Sequence, residues 1–277
     1  MVFWATSEHH DEEKNCKREH IMIQADLFLA PGPYWYEGWV TLVVTVVLAI
    51  SCLIKLPAIA QRVDLIDHPV GRKAHEREIP LIGGIAIFVA FTFGILLAPF
   101  GWTDQRFLFI ASGMIVLMGI LDDYQEIGPI TKMALQILVA FLLVVVGDLI
   151  VPSVGDIFAW DDGNEQGLGW MATPLTIIAI ISVINAYNMI DGHDGLAAGM
   201  FLLTSGIIIL FCNTVGYWKL QFLLVAMFVP TAVFFLFNCG FLGLKRFKSF
   251  LGDAGSMFLG LMLAYSLIMA SNEYEHS

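Results

Sequence analysis

Eight apolar stretches, residues 39–56, 80–99, 107–121, 133–150, 174–189, 197–212, 220–237 and 254–270, take up most of this 277-residue chain. A membrane-crossing helix needs about 20 such residues, with a range of about 17 to 25. Only 14% of the residues are charged, against about 25% in a soluble domain. Such a chain lacks the polar side chains to cover an aqueous surface, so a bilayer is its expected solvent. In hydrocarbon every backbone polar group must be paired within the segment or around a closed barrel. The stretches lack the period-two alternation of a barrel, so an all-α polytopic transmembrane helix bundle of about eight spans is predicted. The stretches 107–121, 174–189 and 197–212 are short, so their helices are expected to run on into the polar residues beside them.

Those polar residues are not scattered. Four clusters fall at every second gap: RKAHEREIPLIGG (72–84), LDD (121–123), NAYNMIDGHDGL (185–196) and FLGDAGS (250–256). If each stretch crosses the bilayer, every second gap opens on one face, and all four clusters meet there. Orientation follows Lys and Arg in the short loops. The cluster-bearing gaps hold Arg62, Arg72, Lys73, Arg77, Lys132, Lys245, Arg246 and Lys248, with Lys55 close by, whereas the opposite gaps hold Arg106 and Lys219 alone. The long gap 151–173 has no basic residue. The cluster side is therefore expected to be cytoplasmic. Residues 1–38 form an expected polar tail without a signal-peptide pattern, residues 39–270 one membrane domain, and residues 271–277 a short end. Cys16, Cys52, Cys212 and Cys239 have neither metal-ligand spacing nor a disulfide framework, and read as small apolar residues.

The clusters differ in how much chemistry they specify. Adjacent helical residues diverge by about 100°, so Asp122 and Asp123 should meet different partners; a helix stop at the interface is the plainer reading. Asn185, Asn188 and Asp191 are spaced by three and share a helix face, followed by Gly192, Asp194 and Gly195 where the chain can break. Hard oxygen donors of this kind suit Mg²⁺ or Mn²⁺, though they would also serve a helix end and turn. Asp253 stands at a helix start, where an Asp caps by default and where free N–H groups also attract phosphate. Arg72, Lys73, His75 and Arg77 suit a phosphate clamp, or simply anionic lipid. Lys132 adds charge to the same side or anchors its helix. His193 reads equally as ligand or spacer, Asp148 as interfacial, and Phe250 as a base-stacking or a packing ring. The net charge of −11 with carboxylates gathered on one face favours a divalent cation and excludes nucleic acid, which needs a basic face.

Taken in order, RKxH…PxxGG, DD, NAxNMIDGxDGL and GDAGS resemble the motifs of the polyprenyl-phosphate N-acetylhexosamine-1-phosphate transferases, of the glycosyltransferase family 4 type. The likeness is nearest to the bacterial branch that uses UDP-GlcNAc and undecaprenyl phosphate. The resemblance implies transfer of GlcNAc-1-phosphate from a UDP-N-acetylhexosamine to undecaprenyl phosphate, starting a surface polysaccharide, in a bacterial inner membrane. It implies Asp122 and Asp123 as the catalytic or acceptor-phosphate pair, Asp253 with Asn188 as ligands of Mg²⁺ or Mn²⁺, and Asn185, Asp191 and Asp194 as the nucleotide-sugar site. Phe250 would stack on uracil, and Lys73 and His75 would sit near the substrates. Family members continue past GDAGS into further spans and a histidine-bearing loop (HxHH). This sequence has no such cluster, so that part of the pattern is expected to be missing. Two rival readings stay open: a catalytically inactive homologue, and a membrane transporter. A homodimer is also left open.

Overall fold

The computed structural model describes residues 35–67, 78–98, 101–103, 105–151, 153, 168–240 and 247–275. Among them eight helices follow one another: α1 (Trp35–Val63), α2 (Gly83–Ile95), α3 (Arg106–Tyr124), α4 (Pro129–Phe141), α5 (Ala172–Ile190), α6 (Leu196–Val215), α7 (Trp218–Asn238) and α8 (Gly252–Glu275). A wider turn over Leu142–Val146 prolongs α4, and a short turn over Gly169–Met171 precedes α5. Two-residue strands β1 (Ile66–Asp67) and β2 (Ile79–Pro80) pair antiparallel between α1 and α2. This is the expected all-α polytopic bundle. Its helical runs end close to the apolar stretches because lipid leaves backbone groups no partner except their own helix.

Seven of the described helical runs are long and apolar enough to cross a membrane. The exception is α2. The stretch 80–99 predicts a full span, yet its helix covers 13 residues, about 20 Å at 1.5 Å per residue against a hydrocarbon core of about 30 Å. Three of the residues lost are lost at its start. Gly83 and Gly84 donate their backbone N–H groups to the carbonyls of Phe250 and Leu251, each at 2.9 Å, and Leu81 bridges Phe250. That pairing takes the residues before Gly83 out of the helix and ties the entry of α2 to the entry of α8.

The centre of the bundle is α8. It packs against α2, α3, α5 and α6, and Met257, Phe258, Leu259, Leu261 and Met262 are fully buried. By contrast, α1 leaves Val43, Val47 and Ile54 exposed, as expected of a helix with one flank in lipid. Membrane helices lack a hydrophobic driving force between them, so close backbone packing carries their association. Gly84 shows how tight this is: a Cβ there would stand 2.2 Å from the backbone nitrogen of Gly255 in α8. Phe88 and Phe91 of α2 then pack their rings against Phe258, with centroids 5.4 and 6.0 Å apart.

Chain direction alternates along the bundle. The C-terminal ends of α1, α3, α5 and α7 and the N-terminal ends of α2, α4, α6 and α8 come together, and the described parts of all four polar clusters come with them.

Candidate functional site

At that end lies a cavity of about 640 Å³, to which every second connection contributes. Asp67 and Leu81 come from the first, Asp122, Asp123 and Glu126 from the α3–α4 turn, Asp191 to Asp194 from the α5–α6 turn, and Asn238 and Phe250 to Asp253 from the approach to α8. Seven of the described lining residues carry carboxylates. Cations belong in such a space.

The two adjacent aspartates do diverge. Asp123 turns to α8, where its carboxylate accepts the backbone N–H groups of Asp253 at 2.9 Å and Ala254 at 3.3 Å. It thus caps a helix other than its own, satisfying donors that a helix start leaves unpaired. The carboxylate fits only because residue 252 is a glycine: its φ is +73°, and a Cβ would stand 2.6 Å from Asp123 Oδ2. Replacing Asp123 with Ala is expected to cost about 0.5–2 kcal/mol, the range of a lost helix cap, with Asn recovering part of it. Melting of the three proteins in one detergent measures this.

Asp122 faces the other way. It accepts the Ile127 backbone N–H at 2.8 Å and forms an ion pair with Lys132. The Lys132 ammonium also pairs with Asp253, so one cation joins two carboxylates from α3 and α8. The other oxygen of Asp253 accepts the Asn188 side-chain amide at 2.9 Å, and that amide also reaches Ser256 Oγ at 3.1 Å. Asp253 is therefore aimed by residues from α4 and α5 as well as by its own helix.

Asn185, one turn deeper in α5, is held elsewhere. Its amide donates to Gln136 Oε1 at 2.7 Å and to its own helix at Ile181 O, at 2.9 Å. Gln136, fully buried in α4, returns a longer bond and touches Met257 Sδ. The predicted face thus splits: Asn188 reaches the site, and Asn185 locks α4 to α5. Asp194 pairs with Lys248 at the rim, and that ammonium also lies 5.4 Å from the Phe250 ring centroid. Asp191 and Phe250 line the cavity. Lys73 and His75, with Arg72 and Arg77, lie outside the described residues. Gln136 and Asn238 are absent from the sequence reading, and Ser256 enters it only as the end of FLGDAGS, with no role. A lone Gln inside an apolar stretch was the available signal, since a buried amide needs a partner.

Asp191 stands just past α5, outside the spans. Burial pushes its carboxyl up to about 7, and the charges of Asp253 and Asp194 push in the same direction. The folded chain then keeps this proton between an ordinary carboxylate value of about 4 and about 7, where the unfolded chain has released it. Stability is therefore lost as pH rises through that window, and the loss is complete above about 7. Asp191→Asn is expected to match the parent near pH 4 and to melt higher at pH 8, by about 2–4 °C for each kcal/mol relieved. Paired melting curves across pH test this.

Two carboxylates converging on one ammonium show that the site accommodates a cation. Among the described residues no three His, Cys, Asp or Glu side chains are placed to hold a metal by themselves. Mg²⁺ does not require that, since it keeps waters and commonly takes one or two carboxylates plus substrate phosphates. The residues present fit such an ion.

Fold and site together define a polytopic integral-membrane protein with a lysine-bridged carboxylate pocket at one end of its helices. Residues 105–271 match the family described as glycosyl transferase family 4. The chain belongs to that family. It is 34% identical to the undecaprenyl-phosphate alpha-N-acetylglucosaminyl 1-phosphate transferase of Escherichia coli K12, over 79% of this chain and 58% of that protein. The protein of the same name from Yersinia pestis is 32% identical, over 79% and 59%. A probable undecaprenyl-phosphate N-acetylglucosaminyl 1-phosphate transferase of Bacillus subtilis strain 168 is 34% identical, over 79% and 58%. The chain thus spans somewhat under 60% of the length of these relatives.

Proposed function

We propose that the chain transfers GlcNAc-1-phosphate from UDP-GlcNAc to undecaprenyl phosphate, giving undecaprenyl-diphospho-GlcNAc and UMP, at the cytoplasmic face of a bacterial inner membrane. The observation that carries this reading is the convergence on Asp253 of Lys132, which also holds Asp122, and of Asn188, at the wall of a pocket that Asp122 and Asp253 line. The names of the bacterial relatives support the same reaction.

Asp253 would hold Mg²⁺ or Mn²⁺, with the Asn188 side chain beside it. The ion would supply charge neutralisation for the phosphates of the donor. In the transfer, an oxygen of the acceptor phosphate attacks the sugar-bearing phosphorus of UDP-GlcNAc. The bond from that phosphorus to the bridging oxygen breaks, and its electron pair leaves with UMP. Both oxygens of Asp123 are engaged by α8, and both of Asp122 by Ile127 and Lys132. A direct attack leaves these bonds undisturbed. Asp122 then steers the acceptor phosphate through Lys132, and Asp123 keeps Asp253 in place. Asp191, Asp194 and Phe250 line the side from which the nucleotide would enter, and the ring can stack on uracil. Lys73 and His75 are assigned to the same substrates by motif.

Purified chain is expected to release UMP from UDP-GlcNAc with Mg²⁺ only when undecaprenyl phosphate is present. Uptake of UDP-GlcNAc into proteoliposomes without UMP formation would replace the transferase with a transporter.

A further inference from the structure

Lys132 occupies ground that a divalent cation would need. Its ammonium is shared between Asp122 and Asp253, and the side chain is only 17% exposed. The remaining oxygens of both carboxylates are already engaged, by the Ile127 N–H and by Asn188. An arriving dication would therefore share the Asp253 carboxylate with the Lys132 ammonium. At a separation of about 4 Å, unit charges interact by several kcal/mol even at an effective dielectric near 20, so a dication on Asp253 repels this ammonium. Without either cation, buried carboxylates would face each other uncompensated, which is costly.

We propose that Lys132 is an exchangeable countercation. It bridges Asp122 and Asp253 while the divalent ion is away, and gives up Asp253 when the ion binds. The inference rests on the reading of this pocket as a divalent-cation site. Lys suits the task, since its compact charge rides on a flexible four-carbon stem. Asp122 is the pivot: it keeps the ammonium near the site after release. The freed ammonium then stands ready for a phosphate oxygen, so that loading the ion and arming the phosphate grip become one event. The unloaded site meanwhile keeps its shape, because the bridge between α3 and α8 is never left without a cation.

The test uses the purified full chain with Mn²⁺ as the probe, free ion being counted by electron paramagnetic resonance. Lys132→Met is expected to bind Mn²⁺ about tenfold or more tightly than the parent, since a resident competitor is gone. Lys248→Met, which removes the same charge from the rim, is expected to shift affinity by about twofold or less, as Lys248 pairs with Asp194 and bridges neither Asp122 nor Asp253. Separately, Mg²⁺ is expected to raise acylation of Lys132 in the parent by at least about threefold, read by mass spectrometry, because the released amine loses a carboxylate partner. Equal Mn²⁺ affinity in the parent and Lys132→Met would overturn the exchange, as would equal gains in the two Lys variants. Acylation unchanged or lowered by Mg²⁺ overturns it without any variant having to fold. A parent chain that binds no Mn²⁺ at all would instead overturn the cation-site reading beneath it.

Discussion

Asp253→Asn is expected to remove Mn²⁺ binding and to slow UMP release by about 100-fold or more, the scale on which a preorganised electrostatic contact to a transition state is lost. The substitution is nearly isosteric and leaves the α8 backbone donors for Asp123 intact. Its amide still meets Asn188, but it no longer offers a charge to Lys132 or to a dication. Melting should consequently change far less than turnover. Mn²⁺ counting, UMP release and a thermal melt on the same preparation separate these effects. Full turnover with normal melting would remove Asp253 from the chemistry, and turnover lost only in step with folding would make its role structural.

The largest effect on stability is expected from Gly84→Val. Even a single Cβ at this position meets the Gly255 backbone nitrogen at 2.2 Å and its Cα at 2.3 Å. Those atoms belong to a helix core, so no side chain can swing aside. The two helices must separate, and overpacking that costs about 1–3 kcal/mol in adaptable cores should reach or exceed that range here. Separation would also stretch the bonds from Gly83 and Gly84 to Phe250 and Leu251, which set the entry to α8. We expect melting in mild detergent to fall sharply and the Mn²⁺ site to weaken with it, although residue 84 is no part of the metal site. Gly84→Ala should show the same sign in smaller measure. A Val variant that melts like the parent would show that the α2–α8 contact has room.

The helices were legible because composition alone dictates them: an apolar run in lipid has one way to pair its backbone. Asp122, Asp253 and Lys132 were also legible as neighbours, since alternate gaps of a polytopic chain share a face. The divergence of Asp122 from Asp123 followed from helix geometry. The late start of α2 was not readable, because it depends on bonds from Gly83 and Gly84 to residues 250 and 251, far away in sequence. Nor was the parting of Asn185 from Asn188. Spacing by three puts both on one face, but their partners, Gln136 and Asp253, sit at different depths on other helices. Periodicity says which side a residue faces and nothing of what stands opposite. The same holds for Asp123, whose plain reading as the end of α3 gave no hint that it caps α8.

The place of α8 has a consequence for how such a chain is made. It is the hub of the bundle and yet the last of the described helices to leave the ribosome. Until it enters, the helices before it lack the partner that most of them pack against, Asp123 lacks the N–H groups it caps, and Lys132 lacks Asp253. Entry of α8 closes the core and delivers Asp253 in a single stroke. The packed core and the carboxylate cluster thus form together, and a chain stalled before this helix carries most of the motif residues but no centre to gather them.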